Sequence, residues 1–189
     1  MSECGKLGRP KGIEGKSRVF SQDELDSVIQ FLKSSNRNTK YRNIVLILFN
    51  YYLGLKAVEL CKLKVSDVFN GKEVLGGLIV SEDKSSIALR FNKELQEAID
   101  LYIERRTQNE GKSFDIQLVL FKSQKAAFSP KTLGRLINSI YKKAGVAGIT
   151  SHSGKRSFIL NYIRAGGDIE GVHKLTGDVR VINTRKNLE

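Results

Sequence analysis

Leu25, Val28, Ile29 and Leu32 recur three and four positions apart, the spacing that lines up side chains on one face of an α-helix. Ser21-Gln22-Asp23-Glu24 stands just ahead of them. A serine followed three residues later by glutamate satisfies two otherwise orphaned amides reciprocally, so the pattern predicts a capped amphipathic helix over 22–34. From 39 to 52 apolar residues fall on nearly every face, which predicts a second helix at the centre of a core. The run Ile44 to Leu55 is the longest apolar stretch; at 12 residues, with Asn50 inside it, it is too short to span a bilayer. Gly54 ends this helix, and a short helix over 57–63 follows.

Leu78-Ile79-Val80 and Ile87 to Phe91 read as two strands of a hairpin with a polar tip over 82–86. Leu95, Ala98, Ile99 and Tyr102 share one stripe of a helix over 94–106. Residues 117–121 are a brief apolar segment, either a third strand or an extended connection. Ser129-Pro130 opens another helix, serine as cap and proline at the first position, where its missing amide costs nothing. Leu133, Leu136, Ile137, Ile140 and Tyr141 give that helix its stripe, and Gly145 stops it. Residues 156–164 read as helical up to Gly166-Gly167, a short helix spans 168–175, and the last dozen residues are helical. The class is α+β, mainly helical with a small antiparallel sheet. Residues 1–18, glycine-rich and basic, read as a flexible arm ahead of one domain over 19–189.

Charge changes this picture from a generic domain to one with a polyanionic partner. The 189 residues carry 32 Lys+Arg against 20 Asp+Glu, a formal net charge of +12. No Asp or Glu occurs from Ile116 to Gly167, a window holding nine basic residues: Lys122, Lys125, Lys131, Arg135, Lys142, Lys143, Lys155, Arg156 and Arg164. Soluble surfaces intersperse both signs, so such a window suits a face that meets phosphates. The two cysteines, Cys4 and Cys61, are too few for a disulfide framework, and with His152 and His173 they make no metal site. No secretory signal opens the chain. These features predict a soluble, cytoplasmic, basic protein with no metal site and no membrane span, whose partner is polyanionic.

Two segments carry candidate phosphate contacts. Gly8-Arg9-Pro10-Lys11-Gly12 resembles the Gly-Arg-Pro core of AT-hook peptides, with Arg9 and Lys11 placed for a narrow minor groove; a merely basic tail is the alternative. Ser151-His152-Ser153-Gly154-Lys155-Arg156 sits at a helix N-terminus, where backbone amides and the helix dipole already favour an anion. His152, Lys155 and Arg156 add their charge or donors there. His173 reads as a surface or packing residue. No nucleophile elbow, P-loop or CxxC pair is present.

The order of these elements resembles the catalytic domain of the tyrosine recombinase (phage integrase) family, a DNA breaking-rejoining fold. That family's Arg-x-x-Glu phrase matches Leu53-Gly54-Leu55-Lys56-Ala57-Val58-Glu59-Leu60, continuing to Asp67. Its hairpin lysine falls on Lys84, and its His-x-x-Arg box on His152-Ser153-Gly154-Lys155-Arg156-Ser157-Phe158. Its Gly-His…Thr-x-x-Tyr phrase aligns with Gly177-Asp178 through Thr184-Arg185-Lys186-Asn187, with Arg180 between. In the family, a tyrosine hydroxyl attacks a DNA phosphodiester while two arginines brace the phosphate. The resemblance implies that both arginine positions here are lysines, Lys56 and Lys155, the second histidine is Asp178 and the tyrosine is Asn187.

Lysine keeps the charge but loses the planar two-pronged grip of arginine. Asn187 has no hydroxyl, and Asp178 puts negative charge where a dianionic phosphorane needs the opposite. The resemblance therefore implies that the partner is double-stranded DNA, its phosphates gripped by Lys56, Lys84, His152, Lys155, Arg156, Arg9, Lys11 and Arg180, with no catalytic residue and no cofactor, in a nucleoid-associated protein. A short arm in place of the family's separate N-terminal clamp domain predicts a weaker, less sequence-specific grip. The chain ends two residues past the tyrosine position, so the C-terminal segment that family protomers exchange is expected to be missing or very short. The expected function is that of a DNA-binding regulator, of transcription or recombination, an architectural factor, or a competitor at recombination-type sites. Two alternatives stay open: an active recombinase using another nucleophile or a partner's tyrosine in trans, and a module that binds a true recombinase.

Overall fold

The computed structural model describes residues 18–82, 85–123, 126–168 and 171–172. Helix α1, Gln22–Lys33, starts at the expected cap: Ser21 Oγ accepts the Glu24 amide at 3.3 Å, and the Ser21 amide donates to Glu24 Oε2 at 3.0 Å. Its stripe of Leu25, Val28, Ile29 and Leu32 is buried. Helix α2, Lys40–Tyr52, runs through the middle of the fold, packed on by α1 and by the later helices α4, Lys93–Glu110, and α6, Ser153–Arg164. Every residue from Val45 to Tyr51 is buried. The all-round apolar pattern has this as its cause: each face of α2 meets another element.

The remaining elements follow the sequence with informative shifts. Helix α3 is one turn, Ala57–Leu60, shorter than the 57–63 expected. Leu63 and Val65 bond residues 118–120 instead: the Leu120 amide donates to Leu63 O at 2.6 Å and the Val65 amide to Leu118 O at 2.9 Å. Residues 117–121 are thus an extended connection with a single bridge, Lys64 to Val119, and a 3₁₀ turn over Val65–Asp67 follows just beyond the expected helix. Strands β1, Gly77–Glu82, and β2, Ser85–Arg90, pair antiparallel from Gly77↔Arg90 to Glu82↔Ser85, longer than their apolar cores because the backbone ladder continues through the polar residues. Leu78 and Leu89 are buried, while Ile79 is exposed.

Helix α4 runs a turn past 106, because Arg106 stays on the buried face and pairs with Glu110 one turn on. Helix α5, Pro130–Lys143, has Ser129 as its cap, accepting from the Thr132 amide at 3.2 Å. Helix α6 begins at Ser153 and not at 156; Ser153 Oγ accepts the Thr150 amide at 3.1 Å, and Ser153 and Gly154 pack inward in the first turn.

The boundary drawn at residue 18 moves. Arg18 belongs to the folded body: its Nε donates to Ala147 O at 2.9 Å and its guanidinium grips Glu24. Two residues on, the Phe20 amide donates to Ser157 Oγ at 2.7 Å, and that hydroxyl lies 2.8 Å from Phe20 O. The chain's first described residues are therefore fastened to α6. Of the helix expected over 168–175, Gly171 and Val172 are helical. The arm up to residue 17, His173 and the last dozen residues lie outside the described residues. Among the described residues no helix is long and apolar enough to cross a membrane.

Candidate nucleic-acid interface

The site is built on Asn50, a fully buried amide near the end of α2. Its Nδ2 donates to Leu55 O at 2.9 Å and to Ser151 O at 3.0 Å. Its Oδ1 accepts from the Tyr141 phenol on α5. Lys56 and His152 each follow a residue held by this one nitrogen, so the loop leaving α2 and the turn entering α6 are locked side by side. Asn138 Oδ1 takes the Ser151 amide at 2.7 Å from the α5 side.

Two glycines, Gly54 and Gly154, allow the close approach. Gly54 has φ +65°, and a Cβ there would sit 3.0 Å from Phe158 of α6. At Gly154 a Cβ would run into the backbone and side-chain oxygens of Asn50. Gly134 of α5 faces Ala57 and Ser151, each 3.8 Å from where its Cβ would be.

Upon this base stand the cations. Lys56 occupies the cap position of α3, and its amide donates to Glu59 Oε2 at 2.5 Å. The glutamate of the Arg-x-x-Glu-like phrase therefore serves the backbone, fixing the turn that presents Lys56. His152 occupies the cap position of α6, is exposed and makes no side-chain cap bond. Lys155 and Arg156 are half-buried and lie three and four residues on, hence on the face of the helix that His152 begins. No acidic residue stands in the first turn of α6. The Asn50 bonds thus set the Lys56 backbone beside the positive end of α6, where His152 stands and Lys155 and Arg156 follow in the first turn, an arrangement that suits an anion.

The structure sets Lys56 beside His152 through the bonds of Leu55 and Ser151 to Asn50, and Lys155 and Arg156 lie in the first turn of α6. Lys84, Arg9, Lys11 and Arg180, with Asp178 and Asn187, lie outside the described residues. The carboxylate-free window does not all face a partner: Lys122 pairs with Glu110 of α4 at 2.9 Å. Lys131, Arg135, Lys142, Lys143 and Arg164 are exposed. Sequence reasoning missed Asn50, whose signal was the one amide inside an otherwise apolar helix. A phenol does lie beneath the patch, but Tyr141 is buried and donates to Asn50; burial pushes its pKa up, so it stays protonated.

The model of the phage integrase family matches residues 18–186. The chain belongs to that family. Its relatives include the tyrosine recombinase XerA of Pyrococcus horikoshii, 27% identical over 186 residues, covering 97% of this chain and 61% of the relative. XerC of Anoxybacillus flavithermus is 24% identical, covering 93% of this chain and 59% of its own length. Among solved structures, XerA recombinase superposes with a TM-score of 0.73 at 26% identity, over 91% of this chain and 60% of that one. XerH bound to its difH substrate shares the fold, with a TM-score of 0.69 at 19% identity, over 92% and 50%. This phage integrase family member thus spans about three fifths of the XerA relative's length. The mainly helical body with its two-stranded sheet is the tyrosine recombinase catalytic-domain fold.

Proposed function

We propose that this integrase-family chain binds double-stranded DNA and leaves the strand uncut. Lys56, His152, Lys155 and Arg156 hold successive backbone phosphates, with Lys84, Arg180, Arg9 and Lys11 extending the contact along the duplex. One observation carries this: the single amide of Asn50 fixes the Lys56 loop against the start of α6, so the cations form a built patch and not scattered surface charge. Ground-state binding needs point charges, which lysine supplies, and each neutralised phosphate releases counterions. Catalysis needs more. Losing one preorganised donor to a transition-state charge costs on the order of 10²–10³ in rate, and Lys56 and Lys155 each replace an arginine. Asn187 offers no hydroxyl at the aligned nucleophile position, and Asp178 opposes a developing negative charge.

Relatives solved with DNA, XerH on difH and the Tn1549 integrase on transposon-end DNA, favour the duplex as partner. The role that follows is occupancy: a competitor, architectural factor or regulator at recombination-type sites. The names of the relatives favour a second reading, strand transfer in which another protomer lends its tyrosine.

A salt series on specific and random duplexes tests the first half. The seven Lys and Arg side chains named, each meeting one phosphate, give a slope of log K against log salt of roughly −6. No duplex binding at low salt overturns the proposal. A nicked suicide duplex tests the second half: a covalent protein–DNA adduct replaces the non-cleaving reading with the second one.

A further inference from the structure

At the opposite end of α2 from Asn50 lies another concentration of positive charge. Arg42 and Asn50 are eight residues apart, about 12 Å along the helix. There the start of α2, the last two turns of α4 and residues 122–123 enclose a pocket of about 330 Å³. Thr39, Arg42, Arg105, Arg106, Asn109 and Lys122 line it, and Glu110 is the one carboxylate among its lining residues.

The charges do not balance. Glu110 is already shared: Arg106 Nε reaches its Oε1 at 2.6 Å, and Lys122 Nζ its Oε2 at 2.9 Å. Arg42 has neutral partners, Lys122 O at 2.9 Å and Asn43 Oδ1 at 2.9 and 3.1 Å, with its guanidinium 5.0 Å over the Phe128 ring. Burial lowers the Arg42 pKa, the mark of a charge taken from water with little in return. Arg106 has a side chain 3% exposed; Nη1 serves Val119 O and Leu120 O, while Nη2 is buried with no acceptor. A scaffold role, holding residues 119–120 to α4, explains Nε and Nη1. It does not explain the orphan Nη2 or the added charge of Arg42 and Arg105.

The start of α2 adds to the imbalance. Thr39 makes no side-chain cap bond and no acidic residue stands in the first turn, so the positive helix end is uncompensated beside Arg42. Uncompensated cations in a partly desolvated concavity are costly, and a buried charged donor without a partner more so.

We propose that this pocket is a second oxyanion site, which takes the phosphate group of a mono- or diester between Arg42, Arg105 and Arg106. The fork of the exposed Arg105 suits two-pronged contact with non-bridging oxygens, while Arg42, whose Nε and Nη2 already share Asn43 Oδ1, supplies charge. The volume, at the small end of ligand pockets, leaves room for part of the attached molecule. The site uses other residues than the Lys56–His152 patch and does not rest on the proposed function. The phosphate comes either from a free small molecule or from a nucleic-acid backbone passing over the start of α2.

The test follows arginine Nε–Hε resonances of the full chain by NMR at constant ionic strength, with inorganic phosphate in one arm and a short duplex in the other. Saturable shifts of Arg42 and Arg106 are expected. Arg105→Ala and Arg105→Lys, the second keeping the charge but losing the fork at an exposed position, each weaken binding about tenfold. Shifts with phosphate alone identify a small-molecule ligand. Shifts with duplex, reversed by free phosphate, identify a nucleic-acid backbone. Shifts that grow linearly without saturating in both arms overturn the site, as does unchanged affinity in both variants.

Discussion

The phenol of Tyr141 donates to Oδ1 of Asn50 across 2.9 Å, and both side chains are fully buried. That bond decides which way the Asn50 amide faces. With Oδ1 toward Tyr141, Nδ2 points to the carbonyls of Leu55 and Ser151, and Lys56 and His152 follow. Tyr141→Phe leaves one buried acceptor unmet, a loss of about 1–3 kcal/mol. Asn50→Ala abandons two carbonyls and a phenol and is expected to cost more, about 3–4 kcal/mol. Chemical denaturation measures both. Duplex affinity of the still-folded Tyr141→Phe protein is expected to fall too, since the two loops are no longer held in register.

Gly154 and Gly134 make a matched pair of opposite sign. A methyl at Gly154 collides with Asn50, so Gly154→Ala is expected to destabilise by about 3 kcal/mol or more. A methyl at Gly134 meets Ala57 and Ser151 at ordinary contact distance, inside a helix where alanine outperforms glycine. Gly134→Ala is therefore expected to stabilise by about 0.5–1 kcal/mol. Thermal melts of the two proteins beside the parent decide the point; equal shifts contradict the packing described.

The salt dependence of DNA binding reports on Lys155. Lys155→Ala is expected to flatten the slope of log K against log salt by about 0.9, the signature of one fewer neutralised phosphate. Lys56→Arg with Lys155→Arg is expected to tighten duplex binding, because the fork geometry returns. The double variant still forms no covalent adduct on a suicide duplex, since position 187 remains asparagine. Adduct formation by it would refute the assignment of Asn187.

Acid stability tests the charge cluster at the end of α4. Burial pushes the Glu110 carboxyl up, but bonds from Arg106 and Lys122 outweigh it, and the net shift is below the ordinary value of 4.5. A carboxylate lowered on folding contributes stability that is present above its unfolded pKa and lost as pH falls through its folded one. Glu24, held down chiefly by the hydrogen bond from Arg18, has the same sign. Glu110→Gln is expected to be less stable than the parent at neutral pH and to converge with it as pH falls from the ordinary carboxylate value through the lowered one. Urea midpoints taken across this range give the comparison, and parallel curves would contradict it.

Much of the fold was legible because its signals are local. The Ser21–Glu24 cap, the Ser129-Pro130 start and the stripes of α1 and α5 are written within a few adjacent residues. What escaped depends on distant partners. The early end of α3 is set by residues 118–120, some 60 positions away, which claim Leu63 and Val65. Arg106 on the buried face of α4 reads as a surface charge until Glu110 and the Val119 carbonyl are in place. In the candidate site, Lys56, His152, Lys155 and Arg156 stood out by residue type and phrase. The amide that joins them did not, because Asn50 differs from its apolar neighbours only in having four bonds to make.

The Ser157 hydroxyl, clasping both backbone groups of Phe20, has a mechanical consequence. Seventeen residues precede Arg18, and the joint where they meet the body is riveted to the same helix that bears Lys155 and Arg156. A load applied ahead of that joint meets Arg18's hold on Ala147 and Glu24 first and the two Phe20–Ser157 bonds next, so all of these must give before the strain is freed from the helix that carries Lys155 and Arg156.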